Sequence, residues 1–135
     1  MKVYQKDILY NQGDYAEEVF FILKGRVKMY YDVNESLLEK QEKSEKVIIN
    51  MPFNLYVEGS YFGDSDIFLS DDRNNRECTA IAACESQLLV ITRKELVDLL
   101  RRFKKVGVEM RELAVERKKH HDRAILQTIE RYKYR

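Results

Sequence analysis

Apolar positions in the first two-thirds of the chain recur with the period of a strand. "VYQKDILY" (3–10) alternates and runs into the turn signal "NQGD". "EVFFILKG" (18–25) is a short apolar run closed by Gly25, and "RVKMYYDV" (26–33) puts Val27, Met29 and Tyr31 on one face. "VIINMPFNLYV" (47–57), "ECTAIAAC" (77–84) and "SQLLVITR" (86–93) supply further strand-like runs. Before residue 47, "NESLLEKQEKSEK" (34–46) is charged apart from Leu37–Leu38 and reads as a long, mobile hairpin loop. Many short strands separated by Gly, Asn and Asp turns predict an antiparallel roll or barrel.

The period changes after residue 92. "RKELVDLLRRF" (93–103) spaces Leu96, Leu99, Leu100 and Phe103 as a helix, with Thr92 and Glu95 set as a capping box. After Gly107 a second helical pattern (Met110, Leu113, Ala114, then Ala124, Ile125 and Ile129) predicts a long helix ending near Tyr132. Its apolar stripe breaks at Arg117, Lys118 and His121. Either the middle of this helix is solvated, or that face covers something polar.

At 135 residues the chain is one domain: a β-roll over 1–92, followed by helices at 93–105 and about 107–132. No apolar run approaches the ~18 residues needed to span a membrane. Cys78 and Cys84 lack CxxC spacing and sit in apolar sequence, so they read as reduced core thiols of a cytosolic protein. The net charge of +1 hides an asymmetry: residues 93–135 hold 14 Lys/Arg against 7 Asp/Glu, and residues 1–92 hold 10 against 16. An acidic body carries a basic tail, which is a solvated helix face or a surface for an acidic neighbour or the inner leaflet.

Candidate chemistry centres on "GSYFGDSDIFLSDDRNNRECTA" (59–80). A short helix starting at Gly63–Asp64 would turn free N–H groups toward an anion, and Gly63 would let the backbone approach it. Asp64 can accept from a sugar hydroxyl, and an arginine can bind a phosphate through two parallel bonds. Asp66 reads as a solvated helix residue and Phe62 as core or ligand contact. No nucleophile–base pair or metal cluster is visible. His120 and His121 are adjacent, face different ways and lack an HExxH context.

Taken together, "GDYAEEVFFILKGRVKMY" (13–30), "GSYFGD" (59–64) and "ESQLLVITRKELVDLL" (85–100) resemble the cyclic nucleotide-binding domain family from Lys6 to about Ile125. The likeness is strongest to cytoplasmic domains of voltage-gated and cyclic nucleotide-gated cation channels, including potassium channels. "LAVERKKHHDRAI" (113–125) looks like the final helix of those domains. The resemblance implies a double-stranded β-helix, a jelly-roll-like β-roll mainly of strands, with a hinge helix and a lid helix. The 59–80 loop becomes a phosphate-binding cassette. The implied ligand set is Phe62, Gly63, Asp64, Ser65, Arg76, Glu77, Cys78, Arg73, Arg117 and His121. Cyclic nucleotide is the expected ligand, with no cofactor, metal, catalysis or nucleic acid. The expected partners are the rest of a parent plasma-membrane channel and its neighbouring subunits.

The loop departs from the family pattern in three ways. Asp64 stands for a glutamate, Glu77 stands where a small hydroxyl residue is usual, and the phosphate arginine is Arg76 by position beside the strand or Arg73 by spacing from Gly63. The missing hydroxyl weakens a preference for cGMP and favours cAMP. Two readings stay open: a working site with acids on its outer side, or a degenerate site in which Asp64 and Glu77 pair with Arg76 and Arg73 and the domain is a structural module. A transcription regulator of the same fold would place a helix-turn-helix after the long helix, which "RYKYR" does not supply.

Overall fold

Strand β3 (Glu18–Lys24) buries Val19, Phe20 and Ile22, and β4 (Arg26–Asn34) buries Val27, Met29 and Val33. These runs lie in two facing antiparallel sheets in a computed structural model that describes residues 1–34, 48–69 and 74–133. The hairpin-loop reading of 34–46 falls outside the described residues from 35 onward, and so does Arg73. With β1 (Lys2–Val3), β2 (Ile8–Tyr10), β5 (Ile48–Val57), β6 (Tyr61–Phe62), β7 (Thr79–Ala82) and β8 (Ser86–Thr92), the sheets run β1-β8-β3-β6 and β2-β7-β4-β5. Tyr10, Phe20, Ile22, Met29, Phe62, Ala80 and Leu88 interlock between them as the core. The expected β-roll followed by helices is the observed fold.

Three local departures have physical causes. The alternating run 3–10 is two strands in different sheets. Asp7 N–H donates to Tyr4 O at 3.0 Å, Tyr4 N–H donates to Asp7 Oδ2 at 2.8 Å, and Lys6 sits at φ +74°. Within β5 the register to β4 skips Phe53, passing from Asn54 opposite Met29 to Pro52 opposite Tyr30. Pro52 has no N–H to give a ladder, which makes a bulge there inexpensive. The long helix starts at Lys104 rather than after Gly107, because Gly107 lies inside it, 3.5 Å (as a built Cβ) from the Leu100 Cβ.

After the short helix α1 (Ser65–Phe68), α2 (Arg93–Arg102) begins as expected: Glu95 N–H donates to Thr92 Oγ1 at 3.2 Å. Arg93 pins that end to the roll by donating to Ala16 O through Nε (3.1 Å) and Nη2 (2.7 Å). Helix α3 (Lys104–Lys133) then packs against α1 and β5. Cys78 is in the core, whereas Cys84 is only half-buried, in the turn before β8.

At the β3–β4 turn, Gly25 (φ +105°) is pressed on Ser86, whose Cα would lie 2.8 Å from an added Cβ. Gly13 (φ +94°) faces open space. Gly25→Ala is therefore expected to lower unfolding stability by about 2–4 kcal/mol and Gly13→Ala by about 1–2 kcal/mol. Urea melts of both proteins check the ranking; equal losses would mean that backbone strain alone, not the Ser86 contact, restricts residue 25.

Candidate functional site

The 59–80 loop is held to the roll by Arg76. Strand β6 pairs Phe62 with Phe20, and the chain then turns at Gly63 (φ +89°). A Cβ at Gly63 would come within 3.0 Å of Arg76 Nη1 and 3.1 Å of Glu18 O, so glycine is required there for both conformation and space. Arg76 Nη1 donates to Gly63 O at 2.7 Å and to Asp66 Oδ2 at 3.2 Å, and Nη2 donates to Glu18 O. Its guanidinium lies over the Tyr10 ring, 4.1 Å from the centroid. At 3% exposure this arginine is interior. Asp66 is buried with it rather than solvated, contrary to the expectation from sequence. Burial pushes the Asp66 carboxyl up, against the opposing pull of Arg76.

Asp64 follows the Gly63 turn at 1% exposure. It does not cap α1 through its side chain; instead Oδ1 accepts from Arg117 Nη1 of α3 at 3.0 Å. Its other oxygen, Oδ2, is buried without a hydrogen-bond partner. Burial raises this carboxyl, and the Arg117 charge only partly counters it. Arg117 Nη2 also donates to Tyr61 O, and the guanidinium lies 4.5 Å from the Tyr61 ring centroid and 5.3 Å from that of Tyr56.

One residue further along α3, Lys118 Nζ donates to Glu77 Oε1 at 2.7 Å and lies 3.6 Å from Asp122. One turn on, His121 Nε2 bonds the Tyr56 hydroxyl, and Phe53, the residue skipped by the β5 bulge, meets the imidazole edge-on at 5.4 Å. Burial, and then the Arg117 charge, push His121 down to about 4, so its ring is neutral. The interrupted stripe on α3 thus covers a polar surface.

The structure brings together Phe62, Gly63, Asp64, Ser65, Arg76, Glu77, Cys78, Arg117 and His121 from the sequence-derived set. Phe62 to Ser65, Glu77, Cys78 and His121 of that set, with Tyr10, Tyr56, Asp66 and Lys118, line a cavity of about 20 Å³ beneath α3, while Arg76 and Arg117 join the group through their bonds to Asp66 and Asp64. A larger cleft, about 590 Å³, opens beside it between Gln12, Tyr31, Glu77, Ile125 and Leu126. Lys118 was visible as a break in the apolar stripe. Tyr56 and Asp66 had no comparable signal, since an aromatic ending a strand and an acid in a short helix are ordinary surface choices.

Removing Arg117 leaves Asp64 as an uncompensated buried charge. Arg117→Ala is expected to cost about 3 kcal/mol or to free α3 from the roll, whereas Asp64→Asn costs less. Hydrogen exchange of α3 amides reads the difference; unchanged protection in Arg117→Ala would show that this pair does not hold the helix down. His121 is depressed in the fold, so its contribution is complete above its unfolded value near 6.5 and is lost as pH falls toward about 4. Asp64 and Asp66, both raised, act in the opposite direction over acidic pH. The wild-type-minus-His121→Gln difference in stability is expected to shrink by on the order of 2–3 kcal/mol between pH 7 and pH 4. A pH-independent difference would rule out a neutral, buried imidazole.

Among solved structures, the chain is similar to the EAL enzyme Bd1971 in its cAMP-bound form, at 22% identity and TM-score 0.60, over 93% of this chain and 30% of that one. It is also similar to the Thermus thermophilus catabolite activator protein, at 20% identity and TM-score 0.67, over 93% and 52% of the two chains. The Xanthomonas campestris global regulator CLP, described as responsive to c-di-GMP, aligns at 15% identity and TM-score 0.63, over 96% and 55%. These likenesses concern the fold, and the chain spans between about a third and about half of these proteins. No curated protein matches it. The model of the cyclic nucleotide-binding domain, a ligand-binding module and not an enzyme, matches residues 1–103, and with that extent of match the chain belongs to the cyclic nucleotide-binding domain family.

Proposed function

We propose that the chain is a regulatory cyclic nucleotide sensor that takes its ligand between the 59–80 loop and α3 and reports occupancy by moving α3. The observation that carries this reading is Asp64. It is a buried carboxylate directly after the Gly63 turn, held on one oxygen by α3 and lacking a partner on the other. A ribose hydroxyl is a donor of the right size for Oδ2. The cyclic phosphate would lie against the Gly63–Ser65 backbone with Arg76 behind it, and the base under Arg117, Tyr56 and His121. A nucleotide does not fit about 20 Å³, so α3 must lift or slide as it enters. Occupancy then shifts α3 only by the difference in ligand affinity between its two positions.

The finer points rest on sequence. Glu77 in place of a hydroxyl residue favours cAMP over cGMP. The likeness of 113–125 to channel lid helices supports a cation channel as the parent, with this domain on the cytoplasmic side and the gate as its output. No helix among the described residues is long and apolar enough to cross a membrane, so any span belongs to the rest of such a parent.

A specific observation also supports a structural-module reading. Arg76, Arg117 and Lys118 are already paired with Asp66, Asp64 and Glu77. The pairings differ from the Asp64/Glu77 with Arg76/Arg73 set read from sequence, but they give Asp64, Glu77 and Arg76 partners without a ligand.

Calorimetric titration decides between the two. Saturable micromolar binding of cAMP, tighter than cGMP, is expected. Glu77→Thr should tighten it several-fold, since a carboxylate a few ångströms from a phosphate opposes binding by on the order of 1 kcal/mol. Arg76→Ala, checked for folding by its melting curve, should weaken it at least tenfold. No heat and no thermal stabilisation at millimolar cAMP or cGMP would leave the structural module as the function.

A further inference from the structure

The side chains of the elbow between α2 and α3 form a concentrated exposed cluster that takes no part in the nucleotide contacts proposed above. Arg101, Arg102, Lys104 and Lys105 fall within five residues, and no acid lies between Asp98 and Glu109. None of the four forms an ion pair among the described residues. Interleaved with them, Leu99 (43%), Phe103 (55%), Val106 (45%) and Val108 (57%) are exposed. Scattered exposed apolar residues are ordinary, but four within ten residues that also carry four unpaired cations are not. The core has no use for them: Gly107 closes the inside of the elbow against Leu100, and Phe103, where the helices meet, is bonded only through its backbone, donating to Leu99 O and accepting from Gly107 N–H.

We propose that this elbow docks on an anionic phospholipid bilayer. Charge complementarity names the occupant. Four long cations placed around a protruding phenyl ring suit a fluid anionic surface, which lets the cations reach headgroup phosphates while Phe103 and its apolar neighbours enter the acyl boundary. A rigid ligand or peptide needs a concavity. Neither cavity described above reaches residues 99–108. The surface lies apart from the cassette, so the inference stands independently of nucleotide binding.

The chain has no tryptophan, so Phe103→Trp is a single reporter at the docking point. Phosphatidylcholine vesicles with roughly 30% phosphatidylserine, in about 0.1 M salt, are expected to bind it saturably with a blue shift, and pure phosphatidylcholine to give neither. At about fivefold in affinity per charge, adding Arg101→Gln, Arg102→Gln, Lys104→Gln and Lys105→Gln should weaken binding by roughly 600-fold with an unchanged melting curve. Lys2→Gln, placed on the reporter at the far end of the roll, should leave binding unchanged. Three results would overturn the proposal: no blue shift on anionic vesicles, equal binding by the neutralised protein, or soluble polyglutamate binding as tightly as the vesicles, which would make the elbow a site for an acidic protein.

Discussion

The arrangement of the cassette depends on one buried guanidinium. Arg76 joins three stretches that are distant in sequence: the Gly63 turn, the start of β3 at Glu18, and Asp66 of α1. Its backbone adds a fourth link, donating from N–H to Asp14 O at 2.7 Å and accepting from Gly13 N–H at 2.8 Å. Arg76 is suited to this place because a planar fork can satisfy several acceptors in fixed directions, while a lysine ammonium would leave some of them bare. Without it, two backbone carbonyls would each lose a donor and the buried Asp66 carboxylate would keep only the Glu77 N–H, at 3.4 Å.

The negative charge in a loop proposed to face an anion follows from the same pairing logic. Asp64 and Asp66 are interior, and each is matched by an arginine; Glu77 is matched by a lysine. The acidic body and basic tail meet here, as two successive residues of α3 land on two acids of the cassette. Desolvation of such pairs largely offsets their attraction, so α3 is held by a balance rather than by a strong clamp. A helix held in that way is one that a ligand, offering its own donors and phosphate, is able to displace.

The aromatic roof adds direction to that balance. The bulge at Pro52 turns Phe53 toward α3, and Tyr56 offers its hydroxyl to a neutral His121. Polar and apolar contacts therefore alternate along one face of α3, with Ala114 fully buried on one side and the ion pairs beyond it. The elbow at Phe103 is where any displacement of α3 relative to α2 must be absorbed, since the backbone leaves helical geometry there (φ −120°, ψ 70°).

Strand runs, the Gly25 turn, the Thr92 cap and the long C-terminal helix were all readable from sequence, because alternation, turn chemistry and capping act between residues a few positions apart. The candidate site was legible as a set of positions, and its family as a pattern of glycines, aromatics and the cassette. Partners were not. Which acid Arg117 meets, whether Asp66 faces solvent, and why Lys6 takes a positive φ beside Ala82 O, its acceptor at 2.8 Å, depend on segments far apart in the chain. Sequence supplies charges and periodicities; burial and long-range geometry decide which charges meet, because an ion pair gains its strength only when folding removes both groups from water.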